Sequence, residues 1–141
     1  MKISAKTEYA CIAILELAAH FETGEPVRVG KIAEENGIPL RFLVQILLQL
    51  KGAGLVTSIR GASGGYRMIV PPADVSLRRV MEVIEGHPPL TTGEKGASPG
   101  AVVLFDVWQK IADAERSMLE ATSVAELVDR MKRCREPMYY I

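Results

Sequence analysis

The sequence predicts a mainly α-helical chain with one small β-hairpin, on three observations. Two apolar segments of helical period meet at an Asn36-Gly37 corner, two β-prone runs flank a glycine-rich turn from Arg60 to Gly65, and a longer helical pattern runs from Ser98 to about Ala121. With 141 residues, 48% hydrophobic and 24% charged, the chain has the size and composition of one ordinary globular domain able to bury a core.

The first element spans Ser4 to Phe21, where Tyr9, Ile12, Ala13, Leu15, Leu17, Ala19 and Phe21 crowd a helix-length window with almost no breaker. It predicts a mostly buried helix, ended by Glu22-Thr23-Gly24-Glu25-Pro26. A short second helix follows from Val29 to Glu35, with Ile32 and Ala33 on one face and Asn36-Gly37 as its stop. Pro39, a residue favoured in a first helical turn, opens a third helix through Leu50 with Leu40, Leu43, Ile46, Leu47 and Leu50 on its buried face. Helix, three-residue turn with glycine, helix is the spacing of a helix-turn-helix.

After Gly52-Ala53-Gly54, the runs Leu55 to Ile59 and Tyr66 to Val70 enclose Arg60-Gly61-Ala62-Ser63-Gly64-Gly65. A hairpin directly after a helix-turn-helix is the wing of a winged helix, and its tip carries Arg60 beside glycines that let backbone approach a phosphate closely. A nucleotide-binding P-loop is excluded, because no Lys-Ser/Thr follows the glycines and no helix begins there.

The second half reads as helices. Ser76 caps a segment from Leu77 to Glu85 with Leu77, Val80, Met81 and Ile84 apolar, ended by Gly86, and the Pro-, Gly- and Thr-rich stretch from His87 to Pro99 reads as a loop. Ser98-Pro99 opens the long helix, where Leu104, Trp108, Ile111 and Met118 recur at near helical spacing with Val107 and Ala114 alongside. Ser123-Val124-Ala125-Glu126 is a capping box for a last helix ending near Arg133. The expected organisation is a winged helix-turn-helix over 1-72, a connecting helix and loop over 73-99, and a dimerisation helix with a C-terminal helix over 100-141. The Leu104, Trp108, Ile111, Met118 stripe exceeds what a small core needs and predicts a homodimer.

Seventeen Lys and Arg cancel seventeen Asp and Glu, yet the charge is not evenly spread. From Asn36 to Ala73 there is no acid at all, while Arg41, Lys51, Arg60 and Arg67 fall inside that stretch. The opening Met1-Lys2-Ile3-Ser4-Ala5-Lys6 lacks the apolar run of a signal peptide and the longest apolar stretches are broken by charge, so a cytoplasmic protein without a membrane span is expected. Two cysteines, Cys11 and Cys134, exclude a disulfide framework and a four-thiolate metal site in one chain. Two histidines, His20 and His87, with no nucleophile–base spacing, argue against an enzyme.

Several of these segments carry more than their periodicity. Lys2-Ile3-Ser4-Ala5-Lys6-Thr7-Glu8-Tyr9-Ala10, the Ile32-Ala33-Glu34-Glu35-Asn36-Gly37-Ile38 corner, Leu40 to Gln45, and the wing Gly54-Leu55-Val56-Thr57-Ser58-Ile59-Arg60-Gly61-Ala62-Ser63-Gly64-Gly65-Tyr66-Arg67 resemble the Rrf-type, or IscR-like, bacterial transcriptional regulators. The resemblance runs nearly end to end, weakening between His87 and Gly100 and in the last few residues. It implies an N-terminal winged helix, a long helix for homodimerisation, and repression or activation at palindromic operators in double-stranded DNA; the signal expected for such a regulator is a small molecule, a partner protein or thiol oxidation. Arg41, Phe42 and Gln45 match the family's base-reading positions: Gln45 suits adenine edges, Arg41 guanine or a phosphate, and Phe42 a thymine methyl. Arg60, Gly61, Ser63, Gly64 and Arg67 are the corresponding wing residues. Val44 stands where several relatives have an acid.

Many members carry three cysteines in the loop before the dimerisation helix, ligating an iron–sulfur cluster; here His87 to Pro99 contains none. Glu8 lies where certain cluster-bearing relatives use a carboxylate ligand, but a carboxylate without thiolates is a poor iron–sulfur site. The expectation is therefore a regulator without a cofactor. The alternative is a metal, iron–sulfur or thiol-redox sensor with ligands assembled from Cys11, Cys134, Glu8 and the histidines. Cys11 reads as a small core residue, whereas Cys134, between Arg133 and Arg135, is the better candidate for a redox thiol.

Overall fold

The computed structural model describes residues 1–86 and 98–135. His87 and most of the expected loop lie outside the described residues. Helix α1 spans Ala5–Ala18 and is capped by Ser4, whose Oγ accepts the Thr7 N–H at 3.1 Å. It stops three residues before the expected end, because the chain tightens there: the N–H groups of His20 and Phe21 donate to Leu17 and Ala18 three residues back, at 3.1 Å each. Helix α2 covers Val29–Asn36 and ends at Gly37 with φ 63°, so that the Ile38 N–H reaches back to the Ala33 carbonyl at 2.9 Å.

Helix α3 runs over Leu40–Gly52, with Pro39 at its cap position rather than inside its first turn. Leu43, Ile46, Leu47 and Leu50 are fully buried, as the apolar spacing requires, but Leu40 is 55% exposed. Leu40 shares its row, at intervals of four, with Val44 and Leu48, and that row faces outward. The buried face is therefore one residue narrower than the sequence pattern suggests.

Strand β1 (Val56–Ile59) pairs antiparallel with β2 (Gly65–Met68), Val56 opposite Met68 and Ile59 opposite Gly65. Val27, just before α2, adds a third short edge: its N–H donates to the Tyr66 carbonyl at 2.7 Å and its carbonyl accepts the Tyr66 N–H at 2.9 Å. A side chain on Gly65 would begin 2.3 Å from the Val27 carbonyl oxygen, so this close pairing needs glycine.

A short 3-10 turn, Pro72–Asp74, leads to α4 (Leu77–Glu85), then α5 (Pro99–Ala121) and α6 (Val124–Cys134). Serines begin all three helices as expected: Ser76, Ser98 and Ser123 accept the N–H groups of Arg79, Ala101 and Glu126 at 3.1, 3.2 and 3.1 Å. The start of α4 is tied to the α5–α6 junction by Leu77 N–H to the Thr122 carbonyl and Val124 N–H to the Val75 carbonyl, both 2.8 Å.

The core forms around α1, which packs against α3, α4, α6 and β2. Ile14 and Leu17 from α1 meet Leu43, Ile46 and Leu47 of α3, Val80 of α4 and Val124 of α6 in one cluster. Two polar groups of α1 are buried with partners: Thr7 Oγ1 donates to Glu85 Oε1 at 2.6 Å, and Glu16 Oε1 accepts from Arg135 Nη2 at 2.7 Å. No residue of α5 is buried. Among the described residues, no helix is long and apolar enough to cross a membrane.

Adjacent leucines on α3 separate core from surface. Leu47→Ala should lower unfolding free energy by about 2–5 kcal/mol, whereas Leu48→Ala should change it by less than about 0.5 kcal/mol. Urea titration followed by circular dichroism measures both.

Candidate nucleic-acid interface

Burial of one face of α3 dictates what the other presents. With Leu43, Ile46, Leu47 and Leu50 in the core, Arg41, Phe42, Val44, Gln45 and Leu48 are left exposed on the first three turns. Phe42 is 40% exposed, so core packing does not account for it, and the Arg41 guanidinium lies over its ring, 5.1 Å from the centroid. That contact restrains two flexible side chains at the start of the helix, with Gln45 one turn further on.

At the wing, Arg60, Gly61 and Ser63 are exposed, whereas Gly64 is buried inside the turn. A side chain on Gly64 would begin 2.1 Å from the Ile59 carbonyl oxygen, and its N–H is already engaged by the Gly61 carbonyl at 3.0 Å. Gly64 thus shapes the tip and leaves Gly61, Ser63 and Arg60 to face outward. Arg67 is exposed on β2 but leans toward the α1–α2 connection: its Nη1 is 3.8 Å from where a side chain on Gly24 would begin. The structure therefore groups Arg41, Phe42 and Gln45 on one helix face and Arg60, Gly61 and Ser63 at one tip, with Arg67 on β2 reaching toward Gly24.

Sequence reasoning missed Arg28. It occupies the cap position of α2, and its Nη2 donates to the Ala62 carbonyl at the wing tip, tying the start of the helix-turn-helix to the hairpin. The β-branched pair Val27 and Val29 around it was a faint strand signal, but the partner lies 34 residues away and nothing local names it. Lys51, at the end of α3, likewise reaches the hairpin, donating to Ser58 Oγ at 2.9 Å.

Electrostatics follows the same division. Among the described residues the ion pairs gather on the N-terminus and on α1, α4, α5 and α6: Arg78 with Glu82 and Glu120, Lys110 with Asp106, Arg116 with Asp113, Arg135 with Glu16. None engages Arg41, Arg60 or Arg67, which lie in the acid-free stretch and keep their charge available to an anionic partner.

The remaining candidates are scattered. Glu8 is exposed, Cys11 is half-buried against the core, and Cys134 is exposed as the last residue of α6. Burial, reinforced by the carboxylates of Glu85 and Glu8, pushes the Cys11 thiol up from its ordinary value near 9.0 to about 11. Among the described residues no three His, Cys, Asp or Glu side chains come together as metal ligands.

A family model described as Rrf2, iron-dependent transcriptional regulator, matches residues 3–130. The HTH-type transcriptional regulator IscR of Aliivibrio salmonicida is 34% identical over 131 residues, covering 91% of this chain and 77% of the relative. A putative HTH-type transcriptional regulator of Mycobacterium tuberculosis is 37% identical over 133 residues, covering 90% and 81%. Among solved structures, CymR, the global cysteine regulator of B. subtilis, superposes with a TM-score of 0.79 at 32% identity over 92% of this chain and 98% of CymR. T. potens IscR gives 0.80 at 29% identity over 100% and 97%.

The family description names iron, and the donor set for an iron–sulfur cluster is short of thiolates here. Iron–sulfur clusters take thiolate ligands, and the chain has two cysteines, Cys11 within α1 and Cys134 at the end of α6. At pH 8, iodoacetamide should alkylate Cys134 rapidly and Cys11 slowly, because a thiol with a pKa near 11 is about 0.1% thiolate at that pH. Peptide mass mapping of the native protein over time checks the order; equal rates would contradict it.

Proposed function

The chain belongs to the Rrf2 family of DNA-binding transcriptional regulators, and from that premise we propose that it acts as a homodimer on a palindromic operator, as a repressor and without an iron–sulfur cluster. The observation that carries the reading is the exposed face of α3, with Arg41, Phe42 and Gln45, beside a wing whose Arg60 has no acid in its segment to neutralise it. In a helix-turn-helix the early turns of the second helix enter the major groove, and a wing tip lies over the neighbouring backbone or minor groove. Gln45 then addresses adenine, Arg41 guanine or a phosphate, and Phe42 a thymine methyl, while Arg60 with Gly61 and Ser63 positions the backbone. Gly64 supports the tip, and Arg67 contributes charge from the flank.

The proposed dimer rests on α5. Leu104, Trp108 and Ile111 are each about half exposed and Met118 is 73% exposed, and Val102, Val103 and Val107 extend the apolar surface. A stripe of this size on one long helix suits a self-complementary contact with a second copy across a twofold axis. Two wings and two α3 helices related by that axis call for an operator with the same symmetry. Residues 1-72 serve as the DNA-binding part and 100-141 as the dimerisation part, joined through 73-99. The protein works in the cytoplasm, with a small molecule or a protein as its signal, and represses by occupying promoter DNA.

Binding should weaken steeply with salt. Arg60→Ala should weaken operator and unrelated DNA alike and flatten the log–log salt slope by about 0.9 for each phosphate that the protein no longer neutralises. Gln45→Ala should instead cost about 1–3 kcal/mol of discrimination between operator and unrelated DNA. Fluorescence anisotropy titrations at several salt concentrations separate the two, and identical behaviour of the variants would reject the assignment of roles.

Trp108→Glu should convert the dimer to monomer in sedimentation velocity at micromolar concentration, with the helical content unchanged. A dimer that survives this charge in the middle of the stripe would place the interface elsewhere.

A further inference from the structure

The outward face of α3 holds an apolar row that polar readout by Arg41 and Gln45 leaves unused. Leu40, Val44 and Leu48 succeed one another at intervals of four and stack along the helix, 55%, 40% and 54% exposed. A single exposed leucine is ordinary. Three apolar side chains in one row, next to Arg41 and Gln45 and inside a segment with no acid, form a surface with a definite chemistry: apolar along the row, with the cation Arg41 beside it. Charge complementarity selects a polyanion as the occupant, and the apolar feature that the DNA major groove offers is the 5-methyl group of thymine.

We propose that Val44 and Leu48 are specificity-determining residues that read thymine methyl groups in each operator half-site. The inference rests on α3 being the helix that enters the major groove. Four residues advance the helix by ~6 Å. Two base-pair steps along a strand advance by about 6.8 Å, at roughly 3.4 Å each. Val44 and Leu48 therefore meet thymines about two base pairs apart. Cytosine at either place would set its exocyclic amino donor against an aliphatic side chain that cannot accept it, which disfavours C·G pairs beyond the effect of removing the methyl group.

The test begins by selecting the preferred operator from a pool of random duplexes with the full chain. The selected duplex is then resynthesised with deoxyuridine replacing thymine one position at a time, which keeps every hydrogen-bonding group and removes only a methyl. Two positions per half-site, about two base pairs apart and besides any thymine met by Phe42, should each lose about fourfold in affinity. In Leu48→Ala one of these penalties should vanish while the other persists, and Val44→Ala should show the converse. Both side chains are solvent-exposed and alanine favours helix, so both variants should fold, as circular dichroism will verify. Equal affinity for thymine and deoxyuridine at every position overturns the proposal, as does a penalty at either of these two positions that survives in the double variant. Binding to random duplex without selection of any sequence overturns it alone and leaves α3 and the wing as a DNA-binding surface. Failure to bind any duplex removes that surface and the proposal together.

Discussion

The arrangement depends on the burial of α1. Ala10, Ala13, Ile14 and Leu17 are almost wholly excluded from solvent, so α1 must be covered from several sides, and it is, by α3, α4, α6 and β2. Covering it assigns the other helices their tasks. Helix α3 gives up Leu43, Ile46, Leu47 and Leu50 to that contact and must present its opposite face outward. Helix α6, not the longer α5, closes the far side, with Val124 and Val128 inside and Arg135 paired to buried Glu16. Helix α5 is thereby left with an apolar stripe and no place in the core of its own chain.

A second constraint fixes the wing against the helix-turn-helix. A β-hairpin of four-residue strands is marginal alone. Here Val27 pairs with Tyr66, Arg28 binds the Ala62 carbonyl, and Lys51 reaches Ser58, so three contacts from α2 and α3 or their approaches hold it. The glycines at 64 and 65 are necessary because backbone lies where their side chains would begin. Tip and helix are thereby held in one relative position, so a partner that met both would order little that was not already ordered.

The electrostatics shows how a chain of zero net charge can serve a polyanion. On the other helices Arg78, Lys110, Arg116 and Arg135 are engaged in ion pairs, whereas among the described residues none engages Arg41 or Arg60 in the acid-free segment. Local imbalance, not the total, sets the field that DNA meets. A further consequence concerns the thiols. The same burial that makes Cys11 a packing residue holds it as a neutral thiol, while Cys134 stays exposed at the end of α6.

Much of this architecture was legible in the sequence because it is local. Ser76, Ser98 and Ser123 cap helices by bonds to N–H groups three residues on, Gly37 ends α2, and the glycine-rich turn closes a hairpin whose strands are neighbours in sequence. The resemblance in the corner and wing supplied the family and, through its base-reading positions, the set Arg41, Phe42 and Gln45. What tertiary structure alone decided involves partners far apart in the chain. Arg28 joins the wing through a contact spanning 34 residues, and Glu16 is neutralised by Arg135 across 119. Leu40 looks like a core leucine in a one-dimensional pattern, and only the direction from which α1 approaches α3 turns it outward. Periodicity shows that a helix has an apolar face; how wide a part of that face is covered depends on where the neighbouring helices lie, which no local rule contains.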